Sequence, residues 1–148
     1  MAPLKRTISR TAFEVLEKAR LDAVMYRNPY ITPEHVLFQM EGAGVLKDAM
    51  EKASMKPTFF RESLGLFLSY LSTTDPAEDY DVKLSKPLRE ALMEAVDAAG
   101  YDGDQPVTIF HLLWGISGLD NSLAGYLLRQ HPEVLDGFGV SSERSQFS

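Results

Sequence analysis

The chain repeats itself, and no other feature restricts its fold as strongly. Ile31–Met40 reads ITPEHVLFQM and Val107–Ile116 reads VTIFHLLWGI. Each has an apolar residue, a Thr, two variable residues, a His and a run of large apolar side chains. The offset of 76 residues also carries Ser9, Leu16, Ala19 and Ala23 onto Ser85, Leu92, Ala95 and Ala99. One register kept over so long a span marks an internal duplication, so the architecture must be built from two copies of one unit.

The unit reads as four helices. Ser9 is placed to cap a first helix, with Ile8 before it set to pack on Phe13 as a hydrophobic staple. Ala12, Val15, Leu16, Ala19 and Ala23 form one apolar stripe at helical spacing. Glu14 and Lys18 read as an exposed ion pair one turn apart. Asn28-Pro29 ends the helix, because the residue before proline avoids the helical region. Thr32 caps a second helix and Pro33 takes its first position, where a missing N–H costs nothing. His35 through Met40 is apolar almost all round, which predicts a buried helix. Gly42 and Gly44 break it. Val45, Leu46, Ala49 and Met50 make a short third helix before Pro57, and Phe59, Phe60, Leu64, Phe67, Leu68 and Leu71 give a fourth.

The second copy follows the same plan. Ser85 caps a helix running to Gly100, where glycine can adopt the left-handed conformation. Thr108 caps the second buried helix, with Trp114 in its apolar run and expected in the core. Leu123–Gln130 is the third. The fourth is short or degenerate. Between the copies, Ser72–Val82 (STTDPAEDYDV) is polar and acidic with a proline, so it reads as a loop whose carboxylates serve solvation. No alternation is long enough for a sheet.

The predicted fold is therefore all-α: a duplicated four-helix repeat forming one pseudo-twofold eight-helix domain over 1–148. Repeat one spans about 8–71, the acidic loop 72–84, repeat two about 85–135 and a polar tail 136–148. Each half alone is too small for a strong core, so the two should share one; a chain of 148 residues can bury roughly 68–70% of its unfolded surface. The isolated domain is expected to be a monomer.

Composition narrows the chemistry. The chain has no cysteine, which excludes disulfides and thiolate catalysis and suits a cytoplasmic setting. A formal charge of -6 argues against non-specific binding to nucleic acid or anionic lipid. No stretch approaches a membrane span, and the first ten residues lack the apolar core of a secretory signal. There is no GKS or GKT loop, no GxSxG and no HExxH. His35 and His111 hold equivalent places just after helix caps, which points to packing and hydrogen bonding rather than metal ligation. No catalysis, cofactor or metal is expected.

The pattern resembles a known family. A Ser/Thr cap, a VLxxA-type helix and a Thr-x-Glu-His-[Val/Leu]-Leu run, duplicated in register, are similar to the Clp amino-terminal domain of Clp-type AAA+ unfoldases such as ClpA and ClpC. Thr32-Pro33-Glu34-His35-Val36-Leu37 is the nearest local match, and Ala124–His131 resembles a ClpA segment. The structural signature is Thr32, His35, Leu37 and, in the second copy, Thr108, His111, Leu113. The resemblance implies a non-catalytic module that binds an adaptor protein or substrate polypeptide and passes it to a Clp ATPase ring and its protease. It also implies two relatives of that role: the type VI secretion unfoldase, whose domain grips a sheath helix, and free-standing accessory subunits that carry this domain alone. No nucleotide-binding module occurs in the sequence, so the ATPase would lie outside it. In ClpC-type domains both copies carry a Glu that helps recognise phosphoarginine. Glu34 matches in the first copy, whereas Phe110 replaces it in the second. Ser9 and Arg89 match other polar positions of that pocket. The resemblance therefore implies ligand binding centred on Glu34, Ser9 and Arg89.

Overall fold

A computed structural model describes residues 8–101, 103 and 105–138. Its helices follow the duplicated plan: α1 (Arg10–Met25), α2 (Pro33–Gly42), α3 (Lys47–Lys52) and α4 (Arg61–Ser69), then α5 (Lys86–Tyr101), α6 (Ile109–Ser117), α7 (Leu123–Gln130) and α8 (Glu133–Asp136). The segment 139–148, most of the polar tail expected from the sequence, lies outside the described residues.

The caps act as the sequence predicts. The Ser9 hydroxyl accepts from Ala12 N–H at 3.2 Å, and Ser85 does the same for Leu88 at 3.2 Å. Thr32 and Thr108 each close a reciprocal cap with the histidine three residues on. Three of the helix ends use a residue in the left-handed region: Arg27, Gly44 and Ser54. At the end of α1, Asn28 N–H reaches Ala23 carbonyl at 2.8 Å and Arg27 N–H reaches Val24 carbonyl at 3.0 Å, the paired bonds of a Schellman ending. In the second copy the helix runs through Gly100, and the left-handed residue is Gly103 instead.

The two copies are laced together by short parallel pairings that no periodicity could announce. Strands β1 (Tyr30–Ile31) and β2 (Lys83–Leu84) pair in register, Ile31 against Leu84. Ile8 bridges Val107 in the same sense. The 76-residue offset maps one pairing onto the other. Ser85 N–H donates to Ile31 carbonyl at 3.0 Å, and Ser9 N–H donates to Val107 carbonyl at 2.8 Å. The lead-in to the first helix of each copy thus holds the lead-in to the second helix of the other. This arrangement is why Ile8 packs against the shared core, while Phe13 stands 54% exposed; the staple expected between them does not form.

One contiguous apolar cluster draws from both copies. It takes Ala12, Val15, Ala19 and Ala23 from α1, Val36, Leu37 and Met40 from α2, and their counterparts Leu88, Ala91, Ala95, Ala99, Leu112, Leu113 and Ile116. The alanine stripes let α1 and α5 approach the signature helices closely. The exposed ion pair on α1 is Glu17 with Arg20, not Glu14 with Lys18. The loop between the copies is held by its backbone: Arg27 donates to the carbonyls of Asp75 and Glu78, and its guanidinium lies 5.1 Å from the Tyr80 ring centre.

Candidate functional site

Of the polar residues singled out by sequence, Glu34 is buried, Ser9 is half-buried and Arg89 is exposed, and they do not form one outer patch. Glu34 begins α2, yet it is only 3% exposed. Its Oε2 accepts from the Ser122 hydroxyl at 2.8 Å and from Ala124 N–H at 3.0 Å. Ser122 in turn caps α7, accepting from Gly125 N–H at 3.1 Å. Glu34 thus satisfies the start of a helix in the other copy, where the helix dipole favours a carboxylate. A carboxylate facing solvent for an incoming guanidinium, which the resemblance implied, is not what the geometry offers. Ser9 is spent on the α1 cap and on Val107. Arg89 is exposed, with Nη1 donating to Leu84 carbonyl at 2.9 Å. No hydrogen bond or ion pair joins these three.

The signature histidines serve the caps. His35 Nδ1 accepts from Thr32 N–H at 2.9 Å, so its Nε2 carries the proton and donates to Asn28 Oδ1 at 3.0 Å. Asn28 Nδ2 passes the chain on to Ser72 carbonyl at 3.2 Å. Burial pushes His35 below the ordinary imidazole value, with the charges of Asp22 and Glu34 opposing. His111 Nδ1 accepts from Thr108 N–H at 3.0 Å in the same way. Among the described residues no group of three or more His, Cys, Asp or Glu side chains could hold a metal ion. No described helix is long and apolar enough to cross a membrane.

Glu41 is a further buried acid that the sequence did not flag. Its Oε2 accepts from Phe60 N–H at 2.7 Å, at the start of α4, and its other oxygen is buried without a partner. Burial raises its pKa, against the Phe60 hydrogen bond and the Arg61 charge.

What remains open to a partner lies on the outer faces. In the first copy a cleft of about 370 Å³ is lined by Tyr26, His35, Phe38, Gln39, Arg61 and Leu68, among others. Arg61 of α4 lies 5.1 Å from the ring centre of Phe38 and covers it. In the second copy a groove of about 680 Å³ runs between α5 and α6, lined by Glu90, Met93, Glu94, Asp97, Trp114 and Leu119 with Gly115, Ser117 and Gly118. Trp114, expected in the core, is 43% exposed at this groove. All other residues of α6 are buried, save Ser117 at its end. The pseudo-equivalent of Trp114 is Phe38. By the 76-residue offset the counterpart of α4 would begin at Gly137 and run beyond the described residues, which in the second copy end shortly after the four-residue α8.

Comparison with known proteins agrees with this fold. The N-terminal domain of Hsp104 from Candida albicans matches with a TM-score of 0.75 at 17% identity, over 88% of this chain and 85% of that one. The N-terminal domain of the ClpV1 ATPase from the E. coli EAEC Sci1 type VI secretion system matches with a TM-score of 0.68 at 21% identity, over 83% and 77%. A chain from a structure described as a peptide from the EAEC type VI SciI protein matches with a TM-score of 0.70 at 20% identity, over 92% and 93%. These likenesses show the helical Clp N-domain fold. The model of the Clp repeat (R) N-terminal domain matches residues 7–131. Duplication, capped signature helices and shared core meet in one conclusion: the chain belongs to the family of Clp repeat N-terminal domains, a fold found in Clp-type unfoldases.

Proposed function

We propose that this protein is one non-catalytic binding domain that docks an adaptor protein or substrate polypeptide for a Clp-type unfoldase in the cytoplasm. One observation carries the reading: the polar chemistry is turned inward and the contact surface outward. Glu34, His35, Glu41, His111 and Ser122 are buried and used in holding helix starts. Large apolar side chains such as Met25, Tyr70, Met93, Tyr101 and Trp114 face solvent. Exposed apolar area of this kind marks association surfaces, and aromatic and methionine side chains are enriched there. Glu34 and Ser9 serve the role by fixing the shape of the domain; Arg89 is exposed and available for contact.

A second reading is the N-terminal domain of a type VI secretion unfoldase that grips a helix. The open groove between α5 and α6 favours it, since an amphipathic helix recognises such a groove with one apolar face. The test common to both is capture by cross-linking in the source cells, then calorimetry of each purified captured polypeptide against the domain. Saturable binding by an unfoldase substrate or adaptor supports the proposal. Capture of nothing that binds the purified domain contradicts it, and the identity of a binder separates the two readings.

A further inference from the structure

We infer that the cleft between α1, α2 and α4 receives a large apolar side chain of a partner polypeptide, while a glutamate or aspartate beside it in that polypeptide pairs with Arg61 at the rim. The site rests on the domain's being a docking module and gives the docking a chemistry.

Two contacts of α2 set the walls. Gln39 Nε2 donates to Asp22 Oδ2 at 3.0 Å, which ties α1 to one side of the helix. The guanidinium of Arg61 lies 5.1 Å from the ring centre of Phe38, which ties α4 to the other. Between them is the cleft of about 370 Å³. Its volume is at the small end of the roughly 300–1,000 Å³ of ligand pockets, enough for one large side chain. Buried His35 lines its depth, with Thr32 N–H on one ring nitrogen and Asn28 Oδ1 on the other. The ring therefore offers the cleft an apolar surface, which Phe38, Leu68 and Tyr26 extend. Gly65 keeps the cleft open. It sits inside α4 without a positive φ, and a Cβ on it would meet only the Phe38 ring, at an ordinary 3.7 Å. Neither backbone nor packing calls for glycine there, and glycine weakens a helix. A longer side chain at that position would fill the space beside Phe38.

Charge places the acid at the rim. Arg61 is exposed, and among the described residues it makes no ion pair and its N–H groups make no hydrogen bond. A guanidinium held over an aromatic ring keeps those donors for a carboxylate, which it can grip by two parallel bonds. On the opposite wall stands Asp22, whose second oxygen makes no hydrogen bond among the described residues. It repels a carboxylate that enters and accepts from a peptide N–H. The carboxylate of the ligand therefore stays on Arg61, and what enters is the neighbouring apolar side chain, with its backbone N–H toward Asp22. In a chain end the carboxylate shares a Cα with the entering side chain and would be drawn toward Asp22, so an internal acid is the better fit. The formal charge of -6 disfavours a run of acids, which leaves one acid beside one apolar residue as the pattern recognised.

The probe is a short acetylated and amidated peptide of serine and glycine that carries one glutamate next to one phenylalanine, titrated into the protein by calorimetry. Saturable binding is expected, weakened about tenfold when glutamine replaces the glutamate or alanine the phenylalanine. Arg61→Gln should lose about tenfold in affinity for the glutamate peptide and nothing for the glutamine peptide. Arg20→Gln, an equal change of charge at an exposed site on α1, should keep wild-type affinity. Gly65→Leu should abolish binding by filling the cleft, with the helical circular dichroism spectrum retained. Equal binding of the glutamate and glutamine peptides would overturn the inference, as would equal losses in Arg61→Gln and Arg20→Gln or no saturable binding at all. Tighter binding of a glutamine peptide with a free terminal carboxylate would overturn it in favour of a chain end. Affinity that falls as protein concentration rises would do so in favour of a second copy. A captured adaptor or substrate that binds Arg61→Gln and Gly65→Leu as tightly as wild type would sink the cleft and leave the docking function standing.

Discussion

Glu34 of α2 and Ser122 of α7 are 88 residues apart in sequence and 2.8 Å apart in space, carboxylate oxygen to hydroxyl. The pair joins the signature helix of one copy to the third helix of the other. Glu34→Ala leaves the Ser122 hydroxyl and the Ala124 N–H to find other partners in a buried site, so it should destabilise by about 1–3 kcal/mol. Ser122→Ala removes a helix cap and should cost about 1 kcal/mol. Urea unfolding of both single variants and the double variant should give a coupling above roughly 0.5 kcal/mol. Strict additivity would mean that the two side chains act independently.

The signature leucines are both fully buried in the shared core: Leu37 on α2 and Leu113 on α6. Leu37→Ala and Leu113→Ala should each cost about 2–5 kcal/mol, read as a fall in the thermal midpoint. An unchanged midpoint for either would mean that its helix is not part of the core.

Gly115 is where α6 meets α5. A Cβ there would overlap the carbonyl of Ala91, and backbone cannot swing aside as a side chain can. Gly115→Ala should therefore destabilise by about 1–3 kcal/mol or more through overpacking. Gly118, three residues on, would meet nothing closer than 3.7 Å and has an ordinary helical φ of -85°. Gly118→Ala should be neutral or slightly stabilising. Similar losses at both positions would place the close contact elsewhere.

Two buried groups give stability opposite dependences on pH. His35 has its pKa lowered from 6.5, chiefly by burial, so the unfolded chain takes up the proton first. Its contribution is complete above the unfolded value and is lost as pH falls through the window beneath it. Glu41 has its pKa raised from 4.5, chiefly by burial, so the folded chain takes up the proton first. Its contribution grows as pH falls from neutral toward 4.5. Glu41→Gln keeps an acceptor for Phe60 N–H without a buried charge. Its denaturant midpoint relative to wild type should be higher at pH 7.5, and the gain should shrink by pH 4.5. A difference independent of pH would assign the effect to packing. For His35, the loss of midpoint between pH 7.5 and 5.5 should be smaller in His35→Gln than in wild type.

Much of the fold was legible because its determinants are local. Thr32 and Thr108 cap helices through residues three positions away, and the alanine stripes of α1 and α5 declare their inner faces. What escaped notice depends on residues distant in sequence. Glu34 looked like a surface acceptor because nothing near it in sequence reveals Ser122. The lacing of Ile8 to Val107 and Ile31 to Leu84 uses pairings of one or two residues, too short for any alternation to show. Trp114 looked like core because α6 is apolar on every side. Its 43% exposure depends on which elements pack against α6, and no residue near it in sequence reveals that.

The most direct measurement of the account is a nuclear magnetic resonance titration of the isotope-labelled protein with a purified adaptor or substrate polypeptide captured by the domain. The account predicts saturable shifts among the exposed apolar side chains, such as Met25, Tyr70, Met93 and Tyr101, with the buried Glu34 and Ser122 unmoved. Shifts centred on Glu34 and Ser122, or none at saturating polypeptide, would contradict it.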